Sequence, residues 1–258
     1  MGRLEDKVAI VTGTARGIGK AIARRFAAEG ALVAGVDVLA DLGEQSAREV
    51  VADGGRMRFL AGDISSEADV RRIVKSVLDE HGRIDILVNN AGVQKEAKIT
   101  DVTVEDFHSV VNVNLLGAVL FCREVLPGMV ARRSGAIVNM SSVLGWVADP
   151  LLPVYGATKA GLLGLTRNIA ITYGPDGIRC NAICPGDVDT ELNQVYFEAH
   201  PDPVAFRGRV EREYPMRRIA STDEIAKVAV FLASDDASFV SGAHLMVDGA
   251  ILARIYEL

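Results

Sequence analysis

One stretch near the start of the chain narrows the fold more than any other. Lys7–Thr12 (K-V-A-I-V-T) is a short continuous apolar run, as expected of a strand buried on both faces, and it passes directly into Gly13-Thr-Ala-Arg-Gly17-Ile-Gly19. Beyond it, Ile18, Ala21, Ile22, Phe26 and Ala27 recur at helical spacing until Gly30 stops them, and a second strand, Ala31–Val36, ends in Asp37. A strand, glycine loop, helix and second strand in this order belong to an α/β protein with a parallel sheet. The glycines let the backbone turn sharply and approach a pyrophosphate, while the helix N-terminus offers free N–H groups and the positive end of its dipole. Asp37 stands 18 residues after Gly19. A carboxylate there accepts hydrogen bonds from the adenosine ribose hydroxyls and repels a 2′-phosphate, which favours NAD over NADP. Arg16 pulls the other way, since an arginine in the loop could pair with that phosphate. Asp37 should prevail because it acts at the ribose itself.

The alternation continues along the chain. Asp41–Ala52 reads as a helix, Arg56–Ala61 as a strand ending before Asp63, Glu67–His81 as a helix with Val70, Ile73, Val74, Val77 and Leu78 inward, and Ile84–Val88 as a strand followed by Asn89-Asn-Ala-Gly92. Asp63 could bond an adenine amino group or cap a helix. Ala91 and Gly92 are small enough to let a cofactor lie against the backbone. Val104–Arg132 is a long helical stretch with Asn114 in its interior, a poor position for asparagine. Asn114 therefore calls for a local kink or a bound water, unless its amide faces solvent. Gly135–Met140 reads as a buried strand, and Ile178–Cys184 as another. Pro185-Gly-Asp-Val-Asp-Thr190 leaves that strand at its carboxyl end, where ligands bind in open α/β sheets. Glu191–Pro215 has no clear periodicity, and with the residues from 187 it reads as a mobile substrate lid. Thr222–Ala233 is a helix capped by Ser221 or Thr222, and His244–Val247 is the last strand. The tail from Ile251 to Leu258 is apolar for a chain end and is expected to pack on a neighbouring subunit. No linker or repeat divides residues 1–258, which read as one domain.

A second cluster sits between Ser142 and Lys159. Residues four apart on a helix share a face, so Tyr155 and Lys159 point the same way if Val154–Tyr173 is helical. An ammonium beside a phenol favours phenolate and lowers the tyrosine pKa from about 10. Such a phenol can exchange a proton with an alcohol or carbonyl. Ser142, at the end of its strand, could hold the same substrate oxygen.

Composition limits the alternatives. The chain has 258 residues, 49% of them hydrophobic and 24% charged, and its net charge of −6 does not suggest a nucleic-acid partner. No uninterrupted apolar run approaches the roughly 20 residues that span a bilayer, and the N-terminus lacks the apolar stretch of a signal peptide. A cytoplasmic location is expected. Cys122, Cys180 and Cys184 read as small buried apolar residues, the last two about 13 Å apart along one strand and too far for a disulfide. His81, His108, His200 and His244 show no metal-ligand spacing, so no metal is expected.

Taken together, Thr12-Gly-Thr-Ala-Arg-Gly-Ile-Gly19, Asn89-Asn-Ala-Gly92, Asn114, Ser142, Tyr155-x-x-x-Lys159 and Pro185-Gly186 resemble the short-chain dehydrogenase/reductase family over nearly the whole chain. The resemblance implies a single doubly wound Rossmann domain, a seven-stranded parallel sheet with helices on both faces, and a homotetramer. It implies that Tyr155 is the general acid/base, that Lys159 lowers its pKa and binds the nicotinamide ribose, that Ser142 orients the substrate oxygen, and that Asn114 holds a relay water. Gly13, Arg16, Gly17, Ile18 and Gly19 would line the pyrophosphate, Asp37 the adenosine ribose, and Asp63 and Ile64 the adenine. Asn89, Asn90 and Gly92 would border the cofactor, as would Pro185 and Gly186, with Val188 and Thr190 at the carboxamide. Asp187 departs from the commonest pattern, in which an apolar residue follows Pro-Gly. It either faces solvent or faces the substrate, and in the second case a hydroxylated substrate is favoured. Gln94, Leu144, Trp146, Leu151, Asp187 and Tyr196 are the candidate substrate-pocket residues.

The function expected is hydride transfer between NAD and a small secondary alcohol, a polyol or sugar among them, or its ketone. A 3-oxoacyl thioester reductase is the alternative enzyme, but it would want basic residues where Asp37 stands. A catalytically silent dinucleotide-binding regulator is the alternative from another class, and the intact Ser142, Tyr155, Lys159 and Asn114 set argues against it.

Overall fold

The structure, a computed structural model, describes residues 2–253. Its elements alternate almost throughout: β1 (Val8–Thr12), α1 (Gly17–Ala28), β2 (Leu32–Asp37), α2 (Ala40–Ala52), β3 (Arg56–Ala61), α3 (Glu67–His81), β4 (Ile86–Asn89), α4 (Val104–Val111), α5 (Gly117–Arg132), β5 (Gly135–Met140), α6 (Pro153–Tyr173), β6 (Ile178–Pro185), α7 (Glu191–Glu198), α8 (Pro203–Glu213), α9 (Thr222–Ala233) and β7 (His244–Val247). The strands form one parallel seven-stranded sheet in the order β3-β2-β1-β4-β5-β6-β7.

Side chains alternate across each strand, and the core divides accordingly. Ala9 and Val11 of β1 join Ile86, Val88, Ala136 and Val138 on one face, under Ile22 and Phe26 of α1 and Ile225, Ala229 and Val230 of α9. Val8 and Ile10 join Leu87 and Ile137 on the other, under Val70, Ile73 and Val77 of α3 and Phe121, Val125 and Met129 of α5. Both faces being covered, the strands read as continuous apolar runs. The expected boundaries hold to within one or two residues.

Two stretches differ from expectation. The long helical passage is interrupted at Asn112–Leu116 by a π turn, with Asn114 buried inside it. By length and apolar content (mean hydropathy 1.5) Val104–Arg132 could cross a membrane, contrary to the count of uninterrupted apolar residues, but 50% of that window is buried inside the molecule. The region expected to be a shapeless lid contains α7 and α8, each with a side-chain N-cap from Thr190 and Asp202. They close on a small core of Phe197, Tyr214 and Ile219, against which Phe206, Val210 and Ile251 pack. The tail expected on a neighbouring subunit thus turns Ile251 into its own chain, and residues 254–258 lie outside the described residues.

α9 begins with a capping box. Ser221 Oγ accepts from the Glu224 N–H, the Glu224 carboxylate accepts from the Ser221 N–H at 2.9 Å, and Arg218 clamps that carboxylate at 2.7 and 2.8 Å. Ser221, not Thr222, is therefore the cap. Ser221→Ala should cost about 1 kcal/mol of stability, read by chemical denaturation.

Candidate active site

The strand order reverses between β1 and β4, the place where an open α/β sheet leaves a crevice at its carboxyl edge. A cavity of about 670 Å³ lies there. At one end it is walled by the glycine loop. Gly13 has φ +75°, and a Cβ on it would stand 2.8 Å from Asn90 Nδ2 and 2.9 Å from Ala91 Cα. A Cβ on Gly19 would stand 1.9 Å from the Gly13 carbonyl oxygen. Only glycine at both positions lets the loop lie flat against the start of α1. That helix has no side-chain cap and no acidic residue in its first turn, so its orphan N–H groups are available to an anion at the cavity. The Asp37 carboxylate accepts from the Ala15 N–H (3.0 Å) and the Leu39 N–H (3.1 Å), which fixes it at the cavity wall. Donors for a pyrophosphate and an acceptor for a ribose are thus both present, and the residues fit a dinucleotide.

The other end is built from β5, β6 and α6. Ser142 continues from β5 with φ −166°, its Oγ accepting from the Leu144 N–H (3.1 Å) and bonded to the Tyr155 hydroxyl. Lys159, one turn after Tyr155, is almost fully buried at 3% exposure. Its Nζ lies 5.2 Å from the Tyr155 ring centre and donates to the Met140 carbonyl at 2.7 Å. The expected lowering of the Tyr155 pKa is not what the protein alone has. Burial pushes that phenol up to about 12, the Ser142 hydrogen bond opposes this, and the Asp187 charge adds to it. Burial also brings Lys159 down to about 8. An enclosed site disfavours both charges, and with its ammonium on a backbone carbonyl Lys159 does not reverse the balance.

Most residues singled out from the sequence line this cavity: Gly13, Arg16, Gly17, Ile18, Asp37, Asp63, Ile64, Asn90, Gly92, Pro185, Gly186, Val188 and Thr190, and with them Ser142, Tyr155, Lys159, Gln94, Leu144, Leu151, Asp187 and Tyr196. Asp63 is exposed, and its carboxylate accepts from the Ser65 N–H and Oγ in a local turn; the cap of α3 is Ser66. Four candidates do not line it. Gly19 acts through packing, as above. Asn89 points into the core, where its Nδ2 donates to Asn139 Oδ1 at 2.8 Å; the side chain facing the cavity is its neighbour Asn90. Trp146 follows the tight turn Val143–Gly145 and turns away, 55% exposed, with its ring centre 5.6 Å from that of His244. Asn114 is buried behind the wall, neither exposed nor in the cleft. Its Nδ2 donates to the Val93 carbonyl (2.9 Å) and Thr158 Oγ1 (3.2 Å), and its Oδ1 accepts from the Val93 N–H (2.8 Å). Both N–H groups are spent on tying the segment after β4 to α6.

Several wall residues carried no sequence signal. Tyr214 ends the lid region, and its hydroxyl donates to Asp187 Oδ2 at 2.8 Å while accepting from the Asp187 N–H at 2.6 Å. Glu96 and Asp149 also line the cavity. Val38 and Leu39, exposed apolar residues directly after Asp37, could have been found as a platform for a flat base. Among the described residues no group of three or more His, Cys, Asp or Glu side chains could hold a metal ion, and the three cysteines are buried and free.

A family profile described as enoyl-(acyl carrier protein) reductase matches residues 13–250. The chain is 40% identical over 252 residues to oxidoreductase UcpA of Escherichia coli (strain K12), with 96% of this chain and 95% of that protein aligned. It is 42% identical over 248 residues to D-threitol dehydrogenase of Mycolicibacterium smegmatis, with 96% and 93% aligned. Among solved structures, the ligand-free aldohexose dehydrogenase of Thermoplasma acidophilum superposes with a TM-score of 0.90 at 34% identity, over 99% of this chain and 97% of that one.

Proposed function

The chain belongs to the short-chain dehydrogenase/reductase family of nicotinamide-dependent oxidoreductases, and on that footing we propose that it is an NAD-dependent dehydrogenase of small secondary alcohols, polyols or sugars among them. The observation that carries the reading is the meeting of Ser142, Tyr155 and Lys159 at one end of a cavity whose other end is a glycine loop under an uncapped helix. The relatives named for threitol and aldohexose support the substrate class.

When bound, the nicotinamide dinucleotide supplies the acceptor for the two electrons that leave carbon as hydride. The chain supplies the proton handling. Ser142 and Tyr155, bonded to one another, hold the substrate oxygen between their hydroxyls. In oxidation Tyr155 takes the alcohol proton, and in reduction it gives it back. Lys159, fastened by the Met140 carbonyl, sets a positive charge beside the phenol that stabilises the phenolate as it forms. Asn114 holds Val93 and Thr158, and through them the wall against which Lys159 rests. The family's homotetramer belongs to the same reading, with exposed Phe107, Leu116, Val119 and Ile171 as apolar surface for it.

A thioester reductase has one observation in its favour, the description of the matched family. Against it stand Asp37 at the ribose end and the acidic Glu96, Asp149 and Asp187 at the other. The test is NADH formation in the presence of simple alcohols, polyols and hydroxy acids, beside reduction of a 3-oxoacyl thioester. Alcohol-dependent NADH formation is expected. Asp37→Ala should reduce the preference for NAD over NADP about tenfold or more. A wild-type protein already favouring NADP would refute the role given to Asp37.

A further inference from the structure

Beyond Tyr155 the cavity carries acid and no opposing base. Among the described residues its only cations are Arg16, in the glycine loop, and Lys159, which is committed to the Met140 carbonyl. Asp187 is the most firmly set of the acids. Its Oδ2 accepts from the Tyr214 hydroxyl and its N–H donates to the same oxygen. A Cβ on Gly186 would stand 2.8 Å from that hydroxyl, so glycine is what lets the ring come so close. Tyr214 in turn is 3% exposed within the Phe197 and Ile219 core. Oδ1 has no hydrogen-bond partner among the described residues, although the side chain lines the cavity. Asp187 is near enough to Tyr155 for its charge to act on the phenol, and Asp149 acts on Asp187 in turn.

We propose that Asp187 determines specificity: its free Oδ1 accepts a hydrogen bond from a second hydroxyl of the substrate, so that uncharged polyols are selected and substrates bearing an anionic group are turned away. A carboxylate held by its other oxygen is a preorganised acceptor, and hydrogen bonds to a charged group are the strong ones. An anionic group brought beside Asp187, Asp149 and Glu96 meets like charge without a cation to offset it. The inference rests on the dehydrogenase reading of the same site.

Glycerol, isopropanol and lactate make the test, since each presents a secondary alcohol and they differ in what flanks it. Wild-type kcat/KM at saturating NAD should favour glycerol over isopropanol about tenfold or more, with lactate lowest. Asp187→Ala should lower the glycerol-to-isopropanol ratio about tenfold. Asp187→Asn keeps the shape and a partner for Tyr214 but drops the charge, and should raise the lactate-to-isopropanol ratio about tenfold. NADH titration reports on folding, and if Asp187→Ala does not bind NADH the isosteric variant decides. Turnover of isopropanol without preference for glycerol, or ratios that stay put in the variants, would overturn the role of Asp187 and leave the dehydrogenase reading standing. No NAD-linked turnover of any alcohol would overturn the dehydrogenase reading itself.

Discussion

Tyr155→Phe removes one oxygen from the cavity and should lower turnover about a thousandfold or more while leaving NADH affinity nearly intact. The ring stays, so the cavity keeps its shape and Lys159 keeps its carbonyl partner. What disappears is the hydroxyl bonded to Ser142, the group that carries the proton. Steady-state rates with a fluorescence titration of NADH separate the two effects. Loss of both together would indicate a collapsed fold and undercut the assignment. The pH dependence of the wild type has a matching sign. With the phenol pushed up to about 12, the ionised fraction grows with pH, so alcohol oxidation should climb through neutrality. Lys159 gives up its proton near 8, and above that point its support for phenolate fades, so the climb should flatten there. A rate that falls as pH rises through neutrality would contradict a phenolate base.

Gly19→Ala should cost about 2 kcal/mol of stability and weaken NADH binding about a hundredfold, although Gly19 does not line the cavity. The added carbon would stand 1.9 Å from the Gly13 carbonyl and 2.5 Å from Asn90 Nδ2. The nearest atom is backbone, so the loop must move as a body. With it moves the start of α1, whose N–H groups are the ones available to a phosphate. Thermal melting and NADH titration read the two effects, and wild-type binding by this variant would show that the loop does not depend on that close approach.

The parts legible from the sequence are those governed by short-range spacing. Tyr155 and Lys159 share a helix face, and the alternation of apolar runs gave each strand and its order in the chain to within a residue or two. What escaped depends on contacts between distant residues. Tyr214 meets Asp187 across 27 positions, and nothing in its neighbourhood marks it. Asn89 and Asn90 look alike in the chain, and only the sheet decides that the first faces the core and the second the cleft. The elevation of the Tyr155 pKa is a property of the enclosure, which spacing does not express. α7 and α8 were hidden by their shortness and by the break at Pro201–Pro203, although their caps, Thr190 and Asp202, were in plain sight.

The π turn at Asn112–Leu116 also limits how this chain can change its length. One turn there holds a surplus residue, and that surplus sets the rotation of everything after it. Removing a single position from that turn would let the spiral run unbroken, at the cost of swinging α5 by about 100° about its axis. Phe121, Val125 and Met129 would then face away from the sheet, and charged neighbours such as Arg123 and Glu124 would swing toward it. A deletion that looks conservative on paper would therefore turn half of the molecule's interior inside out.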